Sequence, residues 1–175
     1  MVKLHIGFDD TDSPNGGCTT YIAAILVEKL SDIGVTFLDY PRLIRLNPNV
    51  PWKTRGNGAL CLSVECDENL VPKIKKTVLE TVETNSKLGY KETNPGIVFV
   101  LGEVPQQVKD FATKAKQSML KVQDAITLAN QVKAEIIKFK KGRGTIGGLA
   151  AIGEELKEDH TFEIITYRTP ENLTV

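Results

Sequence analysis

Residues 9–20, DDTDSPNGGCTT, pack three carboxylates, four hydroxyls and two adjacent glycines into one short stretch. Asp9, Asp10 and Asp12 are like charges crowded together, an arrangement that raises carboxylate pKa values or recruits a cation. Oxygen-only ligands suit Mg²⁺, which takes one or two carboxylates and completes its shell with phosphate oxygens and water. Gly16 and Gly17 let the backbone approach a phosphate, and the N–H groups from Cys18 through Thr19 and Thr20 open a helix whose N-terminus attracts anions. The stretch reads as a metal-nucleotide loop; the plainer alternative is an acidic surface turn with Thr19 or Thr20 as the helix cap.

Residues 138–148, KFKKGRGTIGG, fit G-x-G-x-x-G at Gly142, Gly144 and Gly147. Backbone amides of such a turn cradle phosphate, with Lys140, Lys141 and Arg143 supplying charge. A dinucleotide fold would need an acid about 20 residues further on at a strand end, where Tyr167 and Arg168 stand instead. No Gly-Lys-Ser/Thr completes a Walker A loop either. A tight glycine turn that permits close helix packing is the alternative. Residues 48–58, PNVPWKTRGNG, set the single Trp of the chain, Trp52, beside Lys53 and Arg55. An aromatic that stacks on a base, flanked by cations for phosphate, suits single-stranded RNA; a hydrophobic plug over the core edge is the other reading.

The charges follow these motifs. The chain has 22 Lys+Arg and 22 Asp+Glu, so its formal net charge is zero. The signs are nevertheless segregated: acids alone lie between Lys3 and Lys29, and cations alone between Asp39 and Glu65. An acidic loop for Mg²⁺ with two basic loops for phosphates is what phosphoryl transfer needs, since that chemistry rests on positioning and charge neutralisation. Two other functions compete. One is a phosphohydrolase with Asp10 as nucleophile and Asp12 as acid, although the usual D-x-D-x-T pattern would want Thr where Pro14 stands. The other is a non-catalytic RNA-binding module built on Trp52, Lys53 and Arg55.

The elements that must hold these loops are legible from periodicity. Residues 2–8 predict a strand and 20–30 a helix, with Ile22, Ile25, Leu26 and Leu30 at helical spacing. Strands follow over 35–46 and 60–65, then a helix capped by Asp67 with Leu70, Val71, Ile74, Val78 and Val82 in one stripe, then a strand over 97–101. This βαββαβ order is that of the ferredoxin-like fold, an antiparallel sheet with two helices on one face. The fold class is thus α+β: a ferredoxin-like portion, residues 1–102, carrying the acidic loop. A second portion, residues 103–175, has two helices, a strand over 134–139, a glycine-rich helix over 145–156 and a closing strand over 161–168. The two portions are expected to pack as one body around a shared site. Residues 47–58 carry no periodic pattern, and loops of that length are commonly functional.

With 175 residues, 41% of them hydrophobic and 25% charged, the chain is expected to form a packed protein of one domain or two small ones. The cysteines, Cys18, Cys61 and Cys66, are odd in number and lack C-x-x-C spacing, so neither a disulfide framework nor a four-ligand zinc site is indicated. No run approaches the ~18 apolar residues of a membrane span. The start, MVKLHIGFDD, has acids where a signal peptide needs an apolar stretch. A cytoplasmic location is expected.

GFDDTDSPNGGCTT, WKTRGNGA and GRGTIGGLAAIG, in this order, resemble the amino-terminal part of archaeal isoleucine-tRNA 2-agmatinylcytidine synthetases over nearly the whole chain. The resemblance implies an ATP-dependent ligase that phosphorylates the C2 oxygen of the wobble cytidine in the CAU anticodon of a minor isoleucine tRNA, after which agmatine displaces the phosphate. It implies that Asp9, Asp10 and Asp12 organise Mg²⁺ and the ATP phosphates, and that Thr19 can accept phosphate. Gly17, Cys18, Thr20, Gly142, Arg143, Gly144, Thr145 and Gly147 would contact ATP, and Trp52, Lys53 and Arg55 the RNA. It also implies a kinase-like portion beside a ferredoxin-like one, which would split the βαββαβ run. Full-length members continue into an OB-fold and a zinc ribbon. This chain is therefore expected to be a fragment, or a short paralogue working with a separate OB-fold and zinc-ribbon partner.

Overall fold

The computed structural model describes residues 1–157 and 160–164. The elements run β1 (Val2–Asp9), α1 (Thr19–Ile33), β2 (Thr36–Phe37), β3 (Arg42–Arg45), β4 (Gly58–Cys66), a 3₁₀ turn (Glu68–Leu70) and α2 (Val71–Asn85). They continue with β5 (Gly96–Leu101), α3 (Gln106–Gln117), α4 (Val122–Gln131), β6 (Glu135–Lys138) and α5 (Gly144–Gly153). Local chemistry explains several boundaries. The Asp67 carboxylate accepts the Asn69 N–H at 3.4 Å and starts the 3₁₀ turn, and Pro72 sits in the first turn of α2, where its missing N–H has no helical role. Cys18, rather than Thr19 or Thr20, takes the N-cap position of α1.

One antiparallel sheet carries the site. β4 and β5 flank β1, β2 and β3 both pair with β4, and β6 extends the far edge beside β5. If β2 and β3 count as one broken strand, the first four strands have the ferredoxin-like arrangement expected from the βαββαβ order. The run lies in a single sheet. The strand predicted over 35–46 is interrupted, because four residues, 38–41, face only two, 62–63, between the pairs Phe37↔Val64 and Arg42↔Cys61. Such an excess forces a bulge. Of the closing strand predicted over 161–168, residues 161–164 have no regular structure and the remainder lies outside the described residues.

Alternation along β1 sorts its side chains between two cores. Leu4, Ile6 and Phe8 pack with Leu60, Leu62, Val64, Ile97 and Phe99 beneath α1 and α2. On the other face, Cys61, Val98 and Val100 meet α3, α4 and α5. There α5 lies backbone against backbone on the sheet. A Cβ at Gly7 would sit 1.9 Å from the Gly148 oxygen, one at Gly96 2.1 Å from the Thr145 nitrogen, and one at Gly144 2.2 Å from the Asp9 oxygen. The close approach places Arg143 and the first turn of α5 at the end of β1, where the acidic loop begins. Among the described residues, no helix is long and apolar enough to cross a membrane.

Candidate functional site

Asp9 is the last residue of β1 and turns toward α5, where the absence of a side chain at Gly147 makes room: a Cβ there would lie 2.0 Å from Asp9 Oδ2. Burial, reinforced by the neighbouring Asp10 charge, pushes the Asp9 carboxyl well above the usual carboxylate range, against the pull of the Asp10 N–H bonded to it at 2.6 Å. Asp10 has a left-handed backbone, φ 60°, which an Asp tolerates better than most residues. Arg143 Nε donates to Asp10 Oδ2 at 2.9 Å. Burial nonetheless carries the Asp10 carboxyl up to about 6, offset in part by Arg143 and the Asn94 N–H.

The remaining parts converge from loops. Arg55 Nη2 reaches Asp12 Oδ2 and the Gly17 carbonyl, each at 2.6 Å, while Gly17 holds φ 88°, a conformation suited to glycine. The Trp52 ring lies 5.8 Å from the Arg143 guanidinium, within cation–π range, and remains 47% exposed. Lys53 Nζ donates to the Pro48 carbonyl. The Cys18 thiol is raised by burial, but the Thr20 hydroxyl 2.7 Å away, the N–H groups of Tyr21 and Thr20 and the Arg55 charge outweigh that and leave it below its ordinary value. These loops line an open cavity of about 360 Å³, within the range of small-molecule and cofactor sites.

Of the residues singled out in the sequence, Asp9, Asp10, Asp12, Cys18, Thr19, Thr20, Trp52, Lys53, Arg55, Arg143 and Gly147 line this cavity. Gly17 lies behind it as the acceptor of Arg55. Gly142, Gly144 and Thr145 do not line it. Their N–H groups are already bonded, to the carbonyls of Phe139, Asn94 and Gly142 respectively. Gly144 packs on the backbone of β1 and β5, while Gly142 holds a left-handed turn beside Lys138. The three-carboxylate cluster is not built: Asp12 is held by Arg55, and among the described residues no three His, Cys, Asp or Glu side chains gather as a metal-holding group. All three carboxylates nevertheless line the one cavity, and Asp9 and Asp10, the two not paired with Arg55, are a donor set that fits Mg²⁺ completed by phosphate and water.

Several participants were not read from the sequence. Arg45, Ser118, Met119 and Leu120 complete the cavity wall, and segment 92–94 secures its floor. The Glu92 carbonyl accepts Arg143 Nη2 at 2.6 Å, and the Thr93 hydroxyl donates to the Asp12 carbonyl at 2.6 Å. The Asn-Pro-Gly at 94–96 is a turn signal that marks this segment.

Two expectations follow from the geometry. The Arg55 side chain is 58% exposed, so Arg55→Ala should lower stability by less than about 1 kcal/mol in chemical denaturation. The Asp10 carboxyl is raised in the fold, so the stability it contributes is fully present below its unfolded value of 3.8 and is lost as pH rises through about 6. Wild type should therefore lose about 3 kcal/mol relative to Asp10→Asn as pH rises across that window, measured by denaturation without metal.

A ferredoxin-like sheet with helices on both faces, and a cavity of carboxylates, arginines and hydroxyls at the end of its central strand, defines an α+β domain with an open, charged site. Comparison with known proteins makes this specific. The family model described as TiaS TCKD domain matches residues 5–141, and that described as TiaS FLD domain matches residues 142–175. The chain is 53% identical over 171 residues to the isoleucine-tRNA 2-agmatinylcytidine synthetase TiaS of Thermococcus sibiricus, covering 98% of this chain and 39% of that protein. Against the Pyrococcus horikoshii protein of the same name the identity is 48% over 169 residues, covering 97% and 39%. The crystal structure of a complex of TiaS with isoleucine tRNA and ATP superposes with a TM-score of 0.90 at 42% identity, covering 98% of this chain and 40% of that one. The chain belongs to the TiaS family. It spans about 39% of the length of these curated relatives.

Proposed function

We propose that this chain is the ATP-using core of a tRNA-modifying enzyme that makes 2-agmatinylcytidine, phosphorylating the C2 oxygen of the wobble cytidine of isoleucine tRNA (CAU anticodon) so that agmatine can displace the phosphate. The observation that carries this is the convergence of residues from 9–20 and 50–58 with Arg143 and Gly147 on one cavity. The relatives support it, since they are named for that synthesis and have been crystallised with isoleucine tRNA, ATP, an ATP analogue and agmatine. Residues 1–102 and 103–175 act together, because α5 brings Arg143 from the second portion to Asp10 of the first.

In this reading Asp9 and Asp10 hold Mg²⁺. Held there, Mg²⁺ would supply positive charge against the triphosphate oxygens. Arg143 holds the Asp10 carboxylate and lends its charge to the phosphates. Lys53 and Arg55 supply positive charge at the cavity mouth for phosphate or RNA backbone, and the exposed Trp52 ring offers a base a stacking face. Thr19, buried yet lining the cavity, presents the hydroxyl that accepts phosphate. An amide-like carbonyl oxygen leaves poorly until it is phosphorylated, which is why the modification consumes ATP.

Incubation with γ-labelled ATP and Mg²⁺ should label Thr19, or a cytidine when the tRNA is added. Absence of label in both, together with no heat of ATP binding in calorimetry, would remove the proposal.

A further inference from the structure

We infer that Thr11 is the positioning residue that aims the Thr19 hydroxyl, an inference that rests on the reading of Thr19 as phosphate acceptor. Thr11 stands between the carboxylates Asp10 and Asp12 but faces away from solvent, with 0% exposure. Its Oγ1 lies 2.9 Å from Thr19 Oγ1. Burying a hydroxyl is unfavourable unless it is bonded, and Thr19 supplies the bond.

The rest of Thr11 is fixed independently of that bond. Its carbonyl accepts the Lys87 N–H at 2.9 Å, and the carbonyl of the next residue, Asp12, accepts the Thr93 hydroxyl at 2.6 Å. The hydroxyl that meets Thr19 is therefore anchored to the segment between α2 and β5, not to the helix that carries Thr19. That independence is what positioning requires: a reference held by one part of the fold fixes a rotor held by another.

A free threonine hydroxyl samples staggered χ1 positions and turns about its C–O bond. With Thr11 donating, one lone pair of Thr19 Oγ1 is tied, a second is left for attack, and the Thr19 proton is free to point into the cavity. In the transfer step the bond from Thr19 Oγ1 to the γ-phosphorus forms and the bond from that phosphorus to the β,γ-bridging oxygen breaks. ADP departs, and the Thr19 proton passes to a carboxylate of the cavity. Thr11 touches neither phosphate nor nucleotide in this scheme; it acts through Thr19.

The experiment measures phosphate on Thr19 by phosphopeptide mass spectrometry, with saturating ATP and Mg²⁺, in wild type, Thr11→Val and Thr11→Ser. ATP affinity is measured in parallel by calorimetry. Thr11→Val, which keeps the shape and removes the hydroxyl, should slow labelling at least about 10-fold while the Kd for ATP moves less than about 2-fold; Thr11→Ser should stay within about 3-fold of wild type. A purely structural role would instead move affinity and rate together, and serine would not rescue. If Thr11→Val fails to fold, Thr11→Cys takes its place with the same expectation, since a thiol is a weak donor. Equal labelling of Thr19 in wild type and the hydroxyl-less variant overturns the inference alone, as does serine as slow as valine. No phosphate on wild-type Thr19 overturns the reading of Thr19 as acceptor, and the inference with it.

Discussion

Gly7→Ala is expected to destabilise the fold by about 3 kcal/mol or more, although it adds a single methyl group. That methyl would lie 1.9 Å from the Gly148 oxygen, 2.7 Å from the Gly148 carbon and 3.0 Å from Ile152 Cγ1. The first two are backbone atoms of α5, and β1 sits between β4 and β5 in the middle of the sheet. Neither side can yield without lifting α5 from the strand. Because α5 also packs on β5 and follows directly from Arg143, the same displacement should pull Arg143 from Asp10. Denaturant titration is the measurement, with Gly89→Ala as the control, since no atom lies within 4 Å of a Cβ there. A Gly7→Ala variant within 1 kcal/mol of wild type would show that the helix does not rest on this strand as described.

Asp10→Asn should lower phosphate transfer from ATP at least about 100-fold while leaving the fold intact. Asparagine tolerates the left-handed φ of 60° held by Asp10, and its carbonyl oxygen can still accept the Arg143 Nε–H. What it loses is the negative charge, which is what a cation on the triphosphate requires. A structural role alone would leave the rate near wild type once the melting temperature matched. A folded Asp10→Asn protein with undiminished transfer would take Asp10 out of the chemistry.

The glycine motif shows how sequence and structure divide the information. In sequence, Gly142, Gly144 and Gly147 fit a phosphate turn and a packing turn equally well, because both need a missing side chain. The fold separates them through hydrogen bonds: the N–H groups of Gly142 and Gly144 end on the carbonyls of Phe139 and Asn94, and the face at Gly144 and Gly148 lies on β1. Arg143, between those glycines, does reach the cavity. The acidic loop shows the same division. Three aspartates in four positions announce a charged site, but only the arrival of Arg55 from the 48–58 loop distinguishes Asp12, paired at 2.6 Å, from Asp9, buried against α5.

Thr11 and the segment 92–94 had weaker signals. A threonine between aspartates reads as one more polar loop residue, yet its carbonyl is met by the Lys87 N–H and its hydroxyl by that of Thr19. Lys87 lies on the far side of α2 in the sequence, and no local pattern encodes such a meeting.

By itself the sequence determined most of the elements, the ferredoxin-like order and the three loops rich in chemistry, because hydrophobic periodicity, turn residues and charge are local properties of a chain. Only the tertiary structure decided which carboxylate is paired with Arg55, which glycines lie against β1, and which hydroxyl stands opposite Thr19. Those outcomes depend on atoms brought together across the sheet, where burial and the hydrogen bonds of distant residues fix what each side chain is able to do.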